Sequence, residues 1–332
     1  MEFLTPEELT PEFFNGAVDE TVTRHDAILE EVELRQHDDT AIEQRVIVQQ
    51  SDRQASIVGS VDRFPRVRGD KVETMRISPF HIKNAKTFDE ADDELALDAN
   101  QSPMLTPDGV SNSVQYLERL RRNLVVNAIL SAATTKAFSY SSGDITIQLD
   151  FSDQVIDLTD PGTDWDQSSV NPYDEQNTFI DEFFKATGQR PTRVFVSGKT
   201  ANTLRLVDEI AKTYQMQAPR DPEVDTWDGF DFDSMAYNIL RKQRLKSDGS
   251  LTDAIPEGYG IVTVDTVDET GGSPLLWHRA RTKRQTDTSG PLYRSWQDGS
   301  DEVAAMSIGM QDNGIPGFAK RSIVMLYKFY DA

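Results

Sequence analysis

Cysteine is missing from all 332 residues. Disulfides, thiolate metal sites and cysteine nucleophiles are excluded, and synthesis in a cytosol is expected. Histidine is scarce: His25, His37, His81 and His278 are the whole set, and none pairs at a zinc-site spacing. No apolar run approaches about 18 residues, so neither a transmembrane helix nor a membrane partner is expected. The opening Met1-Glu2-Phe3-Leu4-Thr5-Pro6-Glu7-Glu8 lacks the basic end and apolar stretch of a signal peptide. The H-E-x-x-H, G-x-S-x-G, Walker and G-x-G-x-x-G patterns are all absent. The expectation is a protein with no catalytic, cofactor-binding or metal residues, and so not an enzyme.

Lysine is short as well. Twelve Lys stand against 22 Arg, and 20 Glu against 36 Asp, for a formal charge of -22. The pI is about 4.5 and the mean hydropathy is -0.53. A field of that sign repels nucleic acid and disfavours it as a sequence-read ligand. Acidic surface, Asp over Glu and scarce Lys together match proteins that work in concentrated salt. At molar ionic strength the Debye length is roughly 3 Å, so crowded carboxylates barely repel. The competing reading is an ordinary acidic cytosolic protein. Hydrophobic residues, at 37%, still suffice for a core. The length suits two domains, or one core with large excursions.

Residues 1–35 read as an arm. Thr5-Pro6-Glu7-Glu8 and Thr10-Pro11-Glu12 are cap-then-proline helix starts, and a second short helix should carry Val22, Ala27, Ile28, Leu29 and Val32. Residues 38–82 read as extended. Strands are expected at 41–48, 55–61 and 71–77, with a turn at Phe64-Pro65-Arg66-Val67-Arg68-Gly69-Asp70. Arm and hairpin offer so little apolar face that their burial is expected on neighbouring subunits. Thr87-Phe88-Asp89-Glu90 has capping-box form and predicts a helix to about Leu97. Pro103, Pro107 and Gly109 are read as breakers. From Asn112 to Lys136, Leu117, Leu120, Leu124 and Ile129 recur at helical spacing, predicting a spine more than about 30 Å long. The alternation of Asp144 to Phe151 predicts a strand. Then come a helix from Asp174 to Thr187 ended by Gly188, a strand from Thr192 to Val196, and a helix from Gly198 to about Gln215. A strand between helices marks a mixed α/β domain. Residues 216–233 read as a loop, and the chain turns strand-rich after Ile261, closing on the apolar run Ser322 to Tyr330.

Several polar groups invite chemistry. His37-Asp38-Asp39 has the look of a hydrolytic fragment, but a solvated loop explains it. Arg68-Gly69-Asp70 matches a cell-adhesion tripeptide, and a hairpin tip explains that. The basic runs Arg119/Arg121/Arg122, Arg241-Lys242-Gln243-Arg244 and Arg279 to Arg284 suit either packaged DNA or ion pairs with neighbouring subunits. The acidic set Asp221, Glu223, Asp225, Asp228, Asp231 and Asp233 lacks calcium-loop spacing, so a solvated loop is read there, with weak cation binding the alternative.

Four segments in order carry a resemblance. The hairpin leads into Arg76-Ile77-Ser78-Pro79-Phe80-His81-Ile82, and the spine helix follows. Asp144 to Asp150 then runs through an acidic loop to Gly162-Thr163-Asp164-Trp165 and Asn171-Pro172-Tyr173-Asp174. Last come the helix Phe179–Thr187, the strand Arg193-Val194-Phe195-Val196 and the helix Leu204–Ala211. In this order the chain resembles the tailed-virus major capsid proteins of the lambda capsid protein E group, with the Hong Kong 97-type fold. Residues 38–215 carry most of it, with Pro316-Gly317-Phe318 a fainter echo. The acidic charge departs from the family and suggests a salt-loving host. No cleavable scaffold segment is evident at the N-terminus.

The resemblance implies an α+β fold divided as an N-terminal arm (1–37), an extended hairpin loop (38–82), a peripheral domain (83–171) with the spine helix 112–136, an axial domain (172–270) and return strands (271–332). It implies self-assembly into hexamers and pentamers of an icosahedral shell enclosing double-stranded DNA, contacted non-specifically. Portal, decoration and scaffolding proteins are the other partners it implies, with assembly in the host cytoplasm and residence in the virion. It sets the loop 216–233 at the capsomer centre, where Asp221, Glu223, Asp225 or Asp228 of six copies would approach one another. Two rivals stand beside it: an encapsulin-type cargo shell, and an acidic halophilic hydrolase using the carboxylates of 221–233.

Overall fold

Proline and glycine positions, apolar alternation and two long apolar stretches divide the chain into five helices and seventeen strands among the described residues. The computed structural model describes residues 11–19, 29, 32–37, 42–49, 71–77, 79–88, 107–142, 145–159, 163–167, 169–217, 229–240, 243–245, 251–267, 272–281, 291–298 and 305–331. The helices are α1 (Pro11–Asp19), α2 (Pro107–Thr135), α3 (Pro172–Thr187), α4 (Gly198–Leu204) and α5 (Asp208–Gln217). No helix among the described residues is long and apolar enough to cross a membrane.

The chain divides into two units, each assembled from separated segments: 1–41, 78–131 and 275–317 form the first, and 42–77, 132–274 and 318–332 the second. In the first unit, β1 (Val32–His37), β14 (Leu275–Ala280), β16 (Ala305–Phe318) and β15 (Leu292–Asp298) run side by side in that order, and β4 (Phe80–Phe88) also pairs with β16. β1 lies parallel to β14, with Arg35 opposite His278. β15 and β4 are antiparallel to β16, which at 14 residues is long enough to hold several partners.

The arm departs from its sequence reading. α1 begins where Thr10-Pro11-Glu12 predicts, but Phe14 and Ala17 are buried within the chain, and Phe14 stacks on Tyr293 at 6.0 Å between centroids. Val32 belongs to strand β1, not to a second helix. Phe14, Ala17 and Val32 therefore pack on their own chain, whereas Leu34 stays 58% exposed. Strand pairing with β14 satisfies the backbone of β1 and overrides its weak helical pattern. The turn 64–70 and the strand-like run 55–61 lie outside the described residues. β2 (Ile42–Gln49) and β3 (Lys71–Ile77) do pair, antiparallel, as the hairpin reading expects.

Helix α2 starts five residues ahead of its predicted start. Pro107 opens it, since the first helical position needs no amide hydrogen, and Gly109 lies within it, where its carbonyl accepts from the Ser113 hydroxyl at 2.8 Å. The buried stripe runs through Val110, Val114 and Leu117, then broadens over Val125, Val126, Ala128, Ile129 and Leu130. Leu120 and Leu124 are only partly buried. The predicted capping box is overturned at its start: Thr87 lies in β4, its hydroxyl bonded to that of Ser307 at 2.8 Å, and residues 89–97 lie outside the described residues.

The second unit is built on a six-stranded sheet of order β7 (Val155–Leu158), β17 (Val324–Lys328), β13 (Tyr259–Thr263), β8 (Arg193–Ser197), β10 (Met235–Leu240), β9 (Gly229–Phe232). Its inner strands β17, β13 and β8 read as continuous apolar runs because both faces are covered. Helix α3 packs near β7, α4 against β8 and β10, and α5 against β9. Asn171 caps α3, accepting from the Tyr173 amide at 3.2 Å, and Gly188 ends it in the left-handed region at φ 71°. The helix expected from Gly198 to Gln215 is two helices, α4 and α5, separated by 205–207. Residues 229–232, read as loop, form strand β9. The turn Asp233-Ser234, both with positive φ, joins β9 to β10 as a tight hairpin. The unit also holds the hairpins β2–β3, β5 (Ala137–Ser142) with β6 (Ile145–Asp150), and β11 (Gln243–Leu245) with β12 (Leu251–Asp253).

Candidate functional site

Polar residues buried in the first unit form an ionic cluster. Glu118, 1% exposed, accepts a two-pronged contact from Arg121 at 2.6 and 2.8 Å, one from Arg122 Nε at 2.8 Å, and one from the Tyr293 hydroxyl at 2.8 Å. Asp312, fully buried, accepts from Arg121 Nη1 at 3.2 Å, Arg279 Nε at 2.7 Å and the Asn313 amide at 2.9 Å. Burial alone would raise the Glu118 carboxyl, but the Arg121 fork, Arg122 and Tyr293 outweigh it and hold it below the usual carboxylate range. Burial, together with Glu118, pushes the Tyr293 phenol well up. Each carboxylate is committed to at least two donors. The cluster is therefore suited to tying α2 to β14, β15 and β16 and not to moving protons.

This corrects the reading of two basic runs. Arg121, Arg122 and Arg279 are partnered within their own chain, on Glu118 and Asp312. Arg119 is exposed and donates to the Gln115 carbonyl at 3.4 Å. Arg281 is also exposed, while Arg284 lies outside the described residues. Of the run 241–244, Gln243 and Arg244 lie in β11 and the others outside. Arg68-Gly69-Asp70 and His25 lie outside too. Of the acidic set, Asp231 is exposed on β9 and Asp233 sits in the following turn, whereas Asp221, Glu223, Asp225 and Asp228 lie outside the described residues.

His37 closes strand β1 instead of opening a loop. It meets His278, Nε2 to Nδ1, at 3.0 Å. His81 meets Asn313 Oδ1 at 2.8 Å. Burial, then His37 and Arg35, push the His278 imidazole down to about 4. No spacing in the sequence announces the His37–His278 pair, because 241 positions separate the two residues and only the β1–β14 register joins them.

On the face of the first unit's sheet, Trp296 lies over Gly309, where a Cβ would stand 2.6 Å from the indole ring. Trp296, Lys83, Leu292, Arg294 and Met310 line a cavity of about 530 Å³. Its walls also carry the uncharged polar side chains of Asn84, Ser295 and Gln311, and among the described residues they include no Asp, Glu or His.

The second unit centres on Trp165, fully buried, whose ring meets Phe179, Phe232, Tyr327 and Phe329. Its Nε1 donates to the Tyr327 hydroxyl at 3.1 Å. Gln176 donates to the carbonyls of Phe232 and Asp233 and accepts from the Tyr237 hydroxyl at 2.7 Å, fixing the β9–β10 turn. Against this filled core, Tyr173, Phe184 at 54% and Leu206 at 82% leave large apolar side chains exposed. No group of three or more His, Asp or Glu able to hold a metal ion occurs among the described residues.

No family model matches the chain, and no curated protein matches it. Solved structures do. A phage-related protein from Bordetella bronchiseptica RB50 aligns over 99% of this chain and 98% of its own, at 12% identity and a TM-score of 0.61. A protein assigned as the capsid protein of a prophage in E. coli CFT073 aligns over 99% of both chains, at 12% identity and a TM-score of 0.62. A chain of Gordonia phage Cozz aligns over 94% of this chain and 88% of its own, at 10% identity and a TM-score of 0.51. The chain shares the mixed helix-and-sheet fold of these phage proteins.

Proposed function

We propose that this chain is the major shell subunit of a tailed double-stranded DNA virus whose host lives in concentrated salt. In this reading it assembles with itself, in the host cytoplasm, into the hexamers and pentamers of an icosahedral shell of the Hong Kong 97 type. The shell encloses DNA without reading its sequence, and a portal, with scaffolding or decoration proteins where the virus has them, completes the partners. Residues 83–171 make the peripheral domain and 172–270 the axial domain in this reading. The stretch 216–233 comes near the capsomer centre, and no catalytic step is required of any residue.

The observation that carries the reading is the extent of the fold likeness. It spans 99% of this chain and 99% of the E. coli prophage protein. The buried charges support it, since Glu118 and Asp312 are saturated by arginines. Exposed Phe184 and Leu206 are suited to burial against another copy.

Electron microscopy of the protein expressed in molar NaCl tests the reading, and closed icosahedral shells are the expected outcome. A monomer at every salt concentration, with turnover on an ester, phosphate or glycoside, would replace it with a hydrolase. Native particles filled with an enzyme cargo and lacking DNA would replace it with a cargo shell.

A further inference from the structure

His37 and His278 share one face of the β1–β14 pair. Arg35 is the register partner of His278, and His37 lies two residues further along β1, on the same side of the strand. The rings sit 5.3 Å apart between centroids at 42°, with His37 Nε2 3.0 Å from His278 Nδ1. His278 is 2% exposed, and its other nitrogen, Nε2, is buried with no hydrogen-bond partner among the described residues. His37 remains half-buried, which gives the pair an approach from solvent.

We propose that His37 Nε2 and His278 Nδ1 form a two-imidazole site for a borderline divalent metal ion of the Zn²⁺ or Ni²⁺ class. Two nitrogens holding one zinc at about 2.0–2.1 Å, at angles between square and tetrahedral, stand about 2.9–3.4 Å apart. The observed 3.0 Å lies at the square end of that range and a few tenths of an ångström short of a tetrahedral zinc, so the two rings turn from their mutual hydrogen bond toward the ion. Both ligands act as neutral imidazoles. The protons balance by tautomer exchange: the hydrogen between the rings moves to Nδ1 of His37, His278 keeps its hydrogen on Nε2, and neither ring changes charge. Among the described residues no third His, Asp or Glu joins the pair, so water completes the coordination. Imidazole donors select zinc and nickel over the hard cations that carboxylates prefer. The bound ion pins the last residue of β1 to β14, a few positions before the chain leaves the first unit at 41.

The test uses the full-length, chelator-washed protein in molar NaCl with excess Mg²⁺ to occupy its many carboxylates. Zn²⁺ is titrated by calorimetry, and thermal unfolding is followed with and without it. One Zn²⁺ per chain and a rise in Tm are expected, both lost in H37Q, whose amide still reaches His278 and keeps the strand pair intact. No Zn²⁺ binding overturns the proposal, as does binding that persists unchanged in H37Q. The outcome is independent of whether the protein forms shells.

Discussion

Replacing Glu118 by Gln keeps the side chain's shape but removes the charge between Arg121 and Arg122. The two guanidiniums then lose their nearest counter-charge in a largely buried site. A loss of about 3–5 kcal/mol is expected, because one partner of a buried pair has gone while the other remains. A lowered urea midpoint with unchanged slope would report it. The pH dependence follows from the same contacts. The folded Glu118 carboxyl titrates below the unfolded one, so its contribution is complete above the unfolded carboxylate range and is lost as pH falls through the folded value. Acid unfolding monitored by tryptophan fluorescence should therefore be less steep in E118Q than in the parent. Equal slopes would mean that the cluster does not set acid stability.

Helix α3 illustrates how much an element's ends can disclose. Asn171→Ala removes the acceptor for the Tyr173 amide and the contact from Asn171 Nδ2 to Asp174 at 2.9 Å. A cost of about 1 kcal/mol is expected, read as a lowered Tm. Gly188 makes the end of this helix legible in the sequence because that cap is local, whereas the start was read at Asp174, two residues inside the Asn171-Pro172 cap. Strand β6 and the inner strand β17 are legible for a similar reason: alternation and unbroken apolar runs are properties of short windows. Helix α2 is legible in body but not at its start, since proline serves equally as breaker and as first residue. Strand β1 defeated the sequence reading because its partner β14 lies more than 200 positions away, and register across that distance leaves no local trace. The ionic cluster was hidden for the same reason: Arg121 finds Glu118 one helical turn away, but Asp312 only through the fold.

For the molecule as a whole, charge and exposed apolar area govern association. With -22 per chain, copies repel over roughly 30 Å at 0.01 M salt but over only roughly 3 Å at molar salt. Shells should persist in molar NaCl or KCl and loosen in millimolar buffer, with divalent cations partly replacing the monovalent salt. Light scattering across a dilution series checks this, and shells intact after long dialysis would remove the case for a salt-loving host. Leu206→Asp should leave the Tm of the separated subunit nearly unchanged while weakening assembly by about 1.5–3 kcal/mol per buried contact, seen as a raised critical concentration. The chain also passes between its two units five times, at 41/42, 77/78, 131/132, 274/275 and 317/318. Strand β17, from residues 324–328, fills an inner place in the second unit's sheet, between β7 and β13. During synthesis that place stays empty until residues 324–328 have left the ribosome, so β7 and β13 wait with open edges, prone to pair wrongly. A chain stopped at residue 320 should therefore emerge protease-sensitive and insoluble. Any copy that stops before residue 324 therefore lacks a finished sheet in its second unit.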